Sequence, residues 1–242
     1  MAKILCIETS TEVCSVALSE NGVVTSIKED TAGMNHSKML TVFIDELLKE
    51  NKLSVSSFDA IAVSEGPGSY TGLRIGVSAA KGLCFGAGIP LIAINPLQAM
   101  TYPVRQKLNE NLNSDDLLVP MIDARRMEVY CATFTADGKQ QSDTSAQIID
   151  EQSFADELNR KKIYFFGNGS AKCAEVIKHP NAVFVENIIT SAGNMTEPAE
   201  EKFIKGDFVD VAYFEPFYLK NFIATKPKKS LLTQIVTANI KK

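Results

Sequence analysis

The stretch Gly66–Gly76, GPGSYTGLRIG, follows a short apolar run, Ile61–Val63, and opens a small-residue segment expected to be helical to about Phe85. Three glycines and a proline between Gly66 and Gly72 mark a tight turn with close backbone approach, because only glycine adopts positive φ freely. Ser69 or Thr71 is placed to cap the helix by accepting its first free N–H groups. Such a turn presents donors and the positive end of a helix dipole, a combination that suits an anion. Leu73 and Arg74 follow Gly72 where a phosphate loop of the Walker type needs lysine, so that reading fails. A dinucleotide fingerprint belongs after the first strand, and this loop follows a later one. A purely structural turn and an anion-binding turn both stay open.

Within the helix Gly72, Gly76, Ala80 and Cys84 recur every four residues, flanked by Leu73, Val77 and Leu83. That spacing puts them on one surface. Each glycine inside a helix costs about 1 kcal/mol relative to alanine, so a very close neighbour has to compensate. The neighbour is either the chain's own sheet or a second chain. A preceding helix, running to about Asn51 with Asn35 as its candidate cap, carries Met39, Leu40, Phe43, Ile44, Leu47 and Leu48 over about half its circumference, wider than the roughly 100° stripe one core contact uses. Together these two helices read as a platform for a partner, and a bulky group at Gly76 or Ala80 is expected to break association and leave the fold intact.

Outward from this point the order is three strands (Lys3–Ile7, Cys14–Ser19, Val23–Lys28, with an Asn21-Gly22 hairpin turn), helix, strand, glycine helix, strand (Pro90–Ile94), helix (Leu97–Leu108). The pattern then restarts. IETSTEVCSVALSENG (Ile7–Gly22) and IDARRMEVYCATFTADG (Ile122–Gly138) align with one insertion, each with a carboxylate after an apolar strand, Glu8 and Asp123. Gly167-Asn168-Gly169-Ser170, after the strand Ile163–Phe166, echoes Gly66-Pro67-Gly68-Ser69. Internal repeats decide a fold before other signals do. The prediction is an α/β protein of two duplicated β-β-β-α-β-α subdomains, residues 1–110 and a reduced copy in 111–242, facing a cleft. This arrangement resembles the actin-like ATPase (ASKHA) fold of sugar kinases and heat-shock proteins. Asn187–Pro198 reads as irregular.

Composition sets bounds on function. With 242 residues, 45% of them hydrophobic and 22% charged, the chain can bury a real core. A net charge of −4 argues against a free-standing nucleic-acid binder, and the basic clusters Arg125–Arg126, Lys226–Lys229 and Lys241–Lys242 read as solvated surface. The five cysteines (Cys6, Cys14, Cys84, Cys131, Cys173) are scattered through apolar segments, which is free-thiol usage. With no membrane-length apolar run and with Glu8 where a signal peptide stays apolar, a cytoplasmic protein is expected.

IETST, NHSKMLTVFIDELL (Asn35–Leu48), GPGSYTGLRIG followed by AAKGL, DARRMEVY (Asp123–Tyr130) and FEPFYLK (Phe214–Lys220) together resemble the TsaB family. That resemblance implies a non-catalytic partner of the transferase TsaD in making threonylcarbamoyladenosine beside the tRNA anticodon, with a TsaE-type ATPase as third member. It implies homodimers when TsaD is missing and tRNA contact only through the complex. It also implies a partner interface at Met39, Leu40, Phe43, Leu47, Gly72, Leu73, Gly76, Val77 and Ala80. A TsaD-type chain would carry two metal-binding histidines four apart on a helix, a spacing that lets one ion be held. Here that position reads Asn95-Pro96-Leu97-Gln98-Ala99-Met100, and His36 and His179 are the only histidines. A metallo-glycopeptidase is disfavoured on that count. The rival reading is an independent ATPase or phosphotransferase. Its nucleotide cleft would use Glu8, Thr9, Gly66, Gly68, Ser69, Asp123 and Gly167, with Glu8 and Asp123 holding hydrated Mg²⁺. The expectation is no intrinsic cofactor, with any ATP or ADP and its Mg²⁺ tied to the assembled complex.

Overall fold

A computed structural model describes residues 2–33 and 35–220. The basic clusters at 226–229 and 241–242 lie outside the described residues. The first sheet is built from β1 (Lys3–Glu8), β2 (Cys14–Glu20), β3 (Val23–Asp30), β4 (Ala60–Ser64) and β5 (Leu91–Ile94). Its order is β3-β2-β1-β4-β5, antiparallel through β1, β2 and β3 and parallel from β1 to β4 to β5. The second sheet repeats this order with β6 (Leu117–Asp123), β7 (Glu128–Cys131), β9 (Ser145–Ile148), β10 (Ile163–Phe166) and β11 (Ala182–Val185), while the short β8 (Phe134–Thr135) also pairs with β6. Strand for strand, β9-β7-β6-β10-β11 matches β3-β2-β1-β4-β5 in order and direction. This is the duplication legible in the sequence.

Alternation along the strands sets the layers, since successive side chains point to opposite faces. Leu5, Ile7, Ile61 and Val63 face the helices α1 (His36–Glu50) and α2 (Tyr70–Ala87). Ile4, Cys6, Ala60 and Ala62 face the other way, toward Ala99 and Ala199. The helix α3 (Pro96–Leu108) joins the halves: Ala99 packs on the first sheet, while Leu97, Met100 and Val104 pack with Leu118, Ile122, Tyr164 and Phe166 of the second. On the outer face of the second sheet Phe165 stacks on Phe184 at 5.2 Å and meets Phe154 edge-on at 5.3 Å. There the helical cover shrinks to α4 (Ala155–Leu158) and α5 (Ser170–Cys173).

Two local expectations change. Asn35 stands before α1 but its side chain makes no capping bond. The segment read as irregular, Asn187–Pro198, leads through a 3₁₀ turn at Ala192–Met195 into α6 (Thr196–Lys205). This helix crosses back, and its Ala199 packs with Ala17, Ala60 and Ala62 of the first sheet, so residues 192–205 cover the first half. Small side chains on both surfaces permit that approach. Among the described residues no helix is long and apolar enough to cross a membrane. All five cysteines are buried and unpaired with one another.

Candidate partner surface and cleft

The glycine turn is held by the end of β1. Gly66 takes φ 109°, and the Ser69 N–H donates to the Ser10 carbonyl at 2.6 Å. The Ser69 hydroxyl caps α2 by accepting from the Gly72 N–H at 3.3 Å. A Cβ on Gly68 would collide with the Ser10 carbonyl, one on Gly72 with the Thr9 carbonyl, and one on Gly76 with Thr9 Oγ1. The demand for glycine at 72 and 76 is therefore met inside the chain, by the Glu8-Thr9-Ser10 turn. The second turn repeats the positive φ, 99° at Gly167, but not the contacts: the Gly169 N–H donates to the Met121 carbonyl of β6 at 3.0 Å, and α5 has no side-chain cap.

The residues expected at a partner interface are placed accordingly. Leu40, Phe43 and Leu47 of α1 and Leu73, Val77 and Ala80 of α2 are buried in the chain's own core, as are Gly72 and Gly76; Met39 is half-buried. Ala80 is 0% exposed, so arginine there would unfold the chain, contrary to the expectation that the fold would tolerate it. The outward margin of these helices is formed by Met39, Val42, Ile75, Ala79, Gly82, Leu83, Phe85 and Gly86. A Cβ added at Gly82 or Gly86 would meet nothing within 4 Å. Sequence reasoning passed over these two glycines because periodicity singled out the buried row beside them.

In the cleft the two carboxylates differ. Glu8 is 0% exposed; its Oε1 accepts from the Ser10 N–H (2.5 Å) and the Ser64 hydroxyl (3.0 Å), and its Oε2 has no protein partner. Burial pushes this carboxyl above its ordinary range, against the lowering effect of the Ser10 and Ser64 bonds. Asp123 sits at the end of β6, where the Lys172 ammonium forms an ion pair with it and also donates to the Glu128 carbonyl at 2.8 Å. A divalent ion shared by these groups would have to displace that ammonium and reach a sealed carboxyl. As arranged here, the two carboxylates are not presented together as the Mg²⁺ ligands that the rival reading needs. Between the halves, the Asn168 amide donates to Glu12 at 2.8 Å and Thr11 pairs with Thr190 at 2.6 Å.

Because its folded pKa is raised, Glu8 holds its proton more tightly in the native state than in the unfolded chain. Its contribution to stability is therefore present below about pH 4.3, the ordinary glutamate value, and is lost as pH rises through the folded value. Glu8→Gln is expected to melt higher than the parent at neutral pH, with the gap closing as pH falls to about 4. Calorimetric melting at both pH values checks this; a variant that melts lower at both would show the carboxyl to be stabilising.

The stretch matching the expected metal helix is structural. The Asn95 side chain caps α3 by accepting from the Leu97 (2.9 Å) and Gln98 (3.4 Å) N–H groups, Pro96 fills the first turn, and Met100 is core. His36 is buried with Nε2 3.1 Å from the Val13 carbonyl, and His179 Nδ1 accepts from the Asn181 N–H at 3.1 Å. Among the described residues no three or more His, Cys, Asp or Glu side chains cluster as a metal site.

A family model described as TsaD, tRNA N6-adenosine threonylcarbamoyltransferase, matches residues 19–213. The chain is 32% identical over 92% of its length, and 95% of the relative's, to the tRNA threonylcarbamoyladenosine biosynthesis protein TsaB of Haemophilus influenzae. The chain belongs to the TsaB family. The Escherichia coli protein of the same description is 29% identical over 93% of this chain and 97% of its own. A solved structure of YeaZ from Pseudomonas aeruginosa superposes with a TM-score of 0.75 at 24% identity, covering 90% of this chain and all of that one. The family and this superposition agree with the duplicated topology, and the fold is actin-like.

Proposed function

We propose that the chain serves tRNA threonylcarbamoyladenosine biosynthesis as a non-catalytic subunit. It docks through the outer margin of α1 and α2 on a TsaD-type transferase, which moves a threonylcarbamoyl group from its adenylate to N6 of the adenosine beside the anticodon. A TsaE-type ATPase joins that pair. Alone, the chain self-associates through the same margin.

The observation that carries this reading is the state of the cleft. Glu8 is sealed and Asp123 is paired with Lys172, so neither is presented as a base or an ion ligand. The near full-length likeness to TsaB relatives supports the process. The open margin of α2 supports docking, because a second helix can approach most closely where the facing residues are small. A nucleotide with its Mg²⁺ belongs to the assembled complex, with ligands other than Glu8 and Asp123. With 29 acidic against 25 basic side chains and a net charge of −4, the chain offers no cationic excess to a phosphate backbone, so tRNA is reached through the transferase.

The test is a drop-out reconstitution. Transferase, ATPase, tRNA and threonylcarbamoyl-adenylate are combined with and without this chain, and modified adenosine is counted by mass spectrometry. Modification that depends on the chain supports the reading; equal modification in its absence refutes it.

A further inference from the structure

Beyond α6 the chain turns back along the molecule as a strap, Asp207–Lys220. The Val209 N–H donates to the Leu91 carbonyl of β5 at 2.9 Å, and Val209, Val211 and Phe214 pack on the first core. Lys81 of α2 donates to the carbonyls of Ala212 and Phe214, both at 3.0 Å. The Phe217 N–H donates to the Glu65 carbonyl at 2.7 Å, and a Cβ on Gly66 would lie 2.6 Å from the Phe217 carbonyl. The Tyr218 ring meets Tyr70 at 5.0 Å. Lys220 then crosses to the second half, where it forms an ion pair with Glu128 of β7 and its ammonium lies 5.7 Å over the Tyr130 ring.

These contacts grade from firm to weak. The first half holds the strap by backbone hydrogen bonds and apolar packing. Its link to the second half is an ion pair between side chains 40% and 24% exposed, together with a cation–π contact. Pairs at that exposure are worth little and are screened by salt. Beside the strap lies a crevice between the halves, lined by Glu65 and Asn95 on one side, by Gln140, Asp143 and Thr144 on the other, and by Phe217 of the strap itself.

We propose that the strap is a clasp over the crevice between the halves, anchored on α2 and the glycine turn and latched reversibly at Glu128 by Lys220. A group that enters the crevice beside Glu65 meets Phe217 of the strap, and where the strap gives way the latch is the link that yields. This holds whichever partner docks, and so goes beyond the functional reading above.

The test is amide hydrogen exchange on the full chain. Lys220→Glu sets like charges against each other at the latch. Exchange in residues 214–220 and in the crevice segment 139–145 should then rise about fivefold, the range that loss of a partly exposed pair allows. Amides of β1 and β4 should not change. The swapped pair Glu128→Lys with Lys220→Glu rebuilds the ion pair but not the cation over Tyr130, and should restore both segments most of the way. Unchanged exchange in either segment, a uniform rise through the whole chain, or failure of the swap to restore would each overturn the clasp.

Discussion

Gly72→Leu should lower the melting temperature by about 6–12 °C. A Cβ at this position overlaps the Thr9 carbonyl and lies 3.3 Å from Ser69 Cβ. The carbonyl is backbone of the turn that follows β1, the central strand of the first sheet, so it cannot swing aside as a long side chain would. Overpacking a rigid contact costs about 3 kcal/mol at the upper end of the usual range, and a chain of this size loses about 2–4 °C per kcal/mol. The control is Gly82→Ala on the same helix, where a Cβ meets nothing within 4 Å. That change should stabilise by up to about 1 kcal/mol, because alanine is the better helix former. Thermal melts of the two variants separate the cases. Equal effects at both positions would show that helix propensity rather than the Thr9 contact governs Gly72.

Gly82→Arg should leave melting nearly unchanged and weaken binding to a TsaD-type transferase by about 30-fold or more, the loss typical of a truncated or blocked central contact. The position is exposed, and it lies one turn from Phe85, Gly86 and Ala79 on the outward face of α2. An arginine there keeps two helices from close approach and presents a charge that a tight apolar crossing cannot solvate. Titration calorimetry with wild type and variant measures the change. Unaltered affinity would move the docking surface off α2.

Much of the architecture could be read from residues. The strand-carboxylate-strand repeat at Glu8 and Asp123 gave the duplication, and Asn21-Gly22 marked a hairpin whose residues take φ 56° and 77°. The side chain of Ser69 caps α2 as its type suggests. What the pattern could not give was the identity of the surface facing a small-residue row. Spacing by four says that something packs closely on Gly72 and Gly76; only the fold reveals Thr9 as that neighbour. α6 was missed for a related reason: its contacts, Ala17, Ala60 and Ala62, are small and distant in sequence. The Lys172–Asp123 pair was invisible because nothing local links a short helix to a strand end in the repeat. Asn35 failed as a cap although its residue type favours one.

The central claim is that the working part of this molecule is a docking surface on an actin-like body whose cleft carboxylates are out of use. It is tested most directly by mixing the purified chain with the TsaD-type transferase of the same cell at about 10 μM, a concentration at which a stable specific pair is formed. Light scattering then weighs what elutes from a sizing column. A single species with the summed mass of one copy of each is the result expected; two separate peaks, with ATP hydrolysis or threonylcarbamoyl transfer by this chain alone, would contradict it.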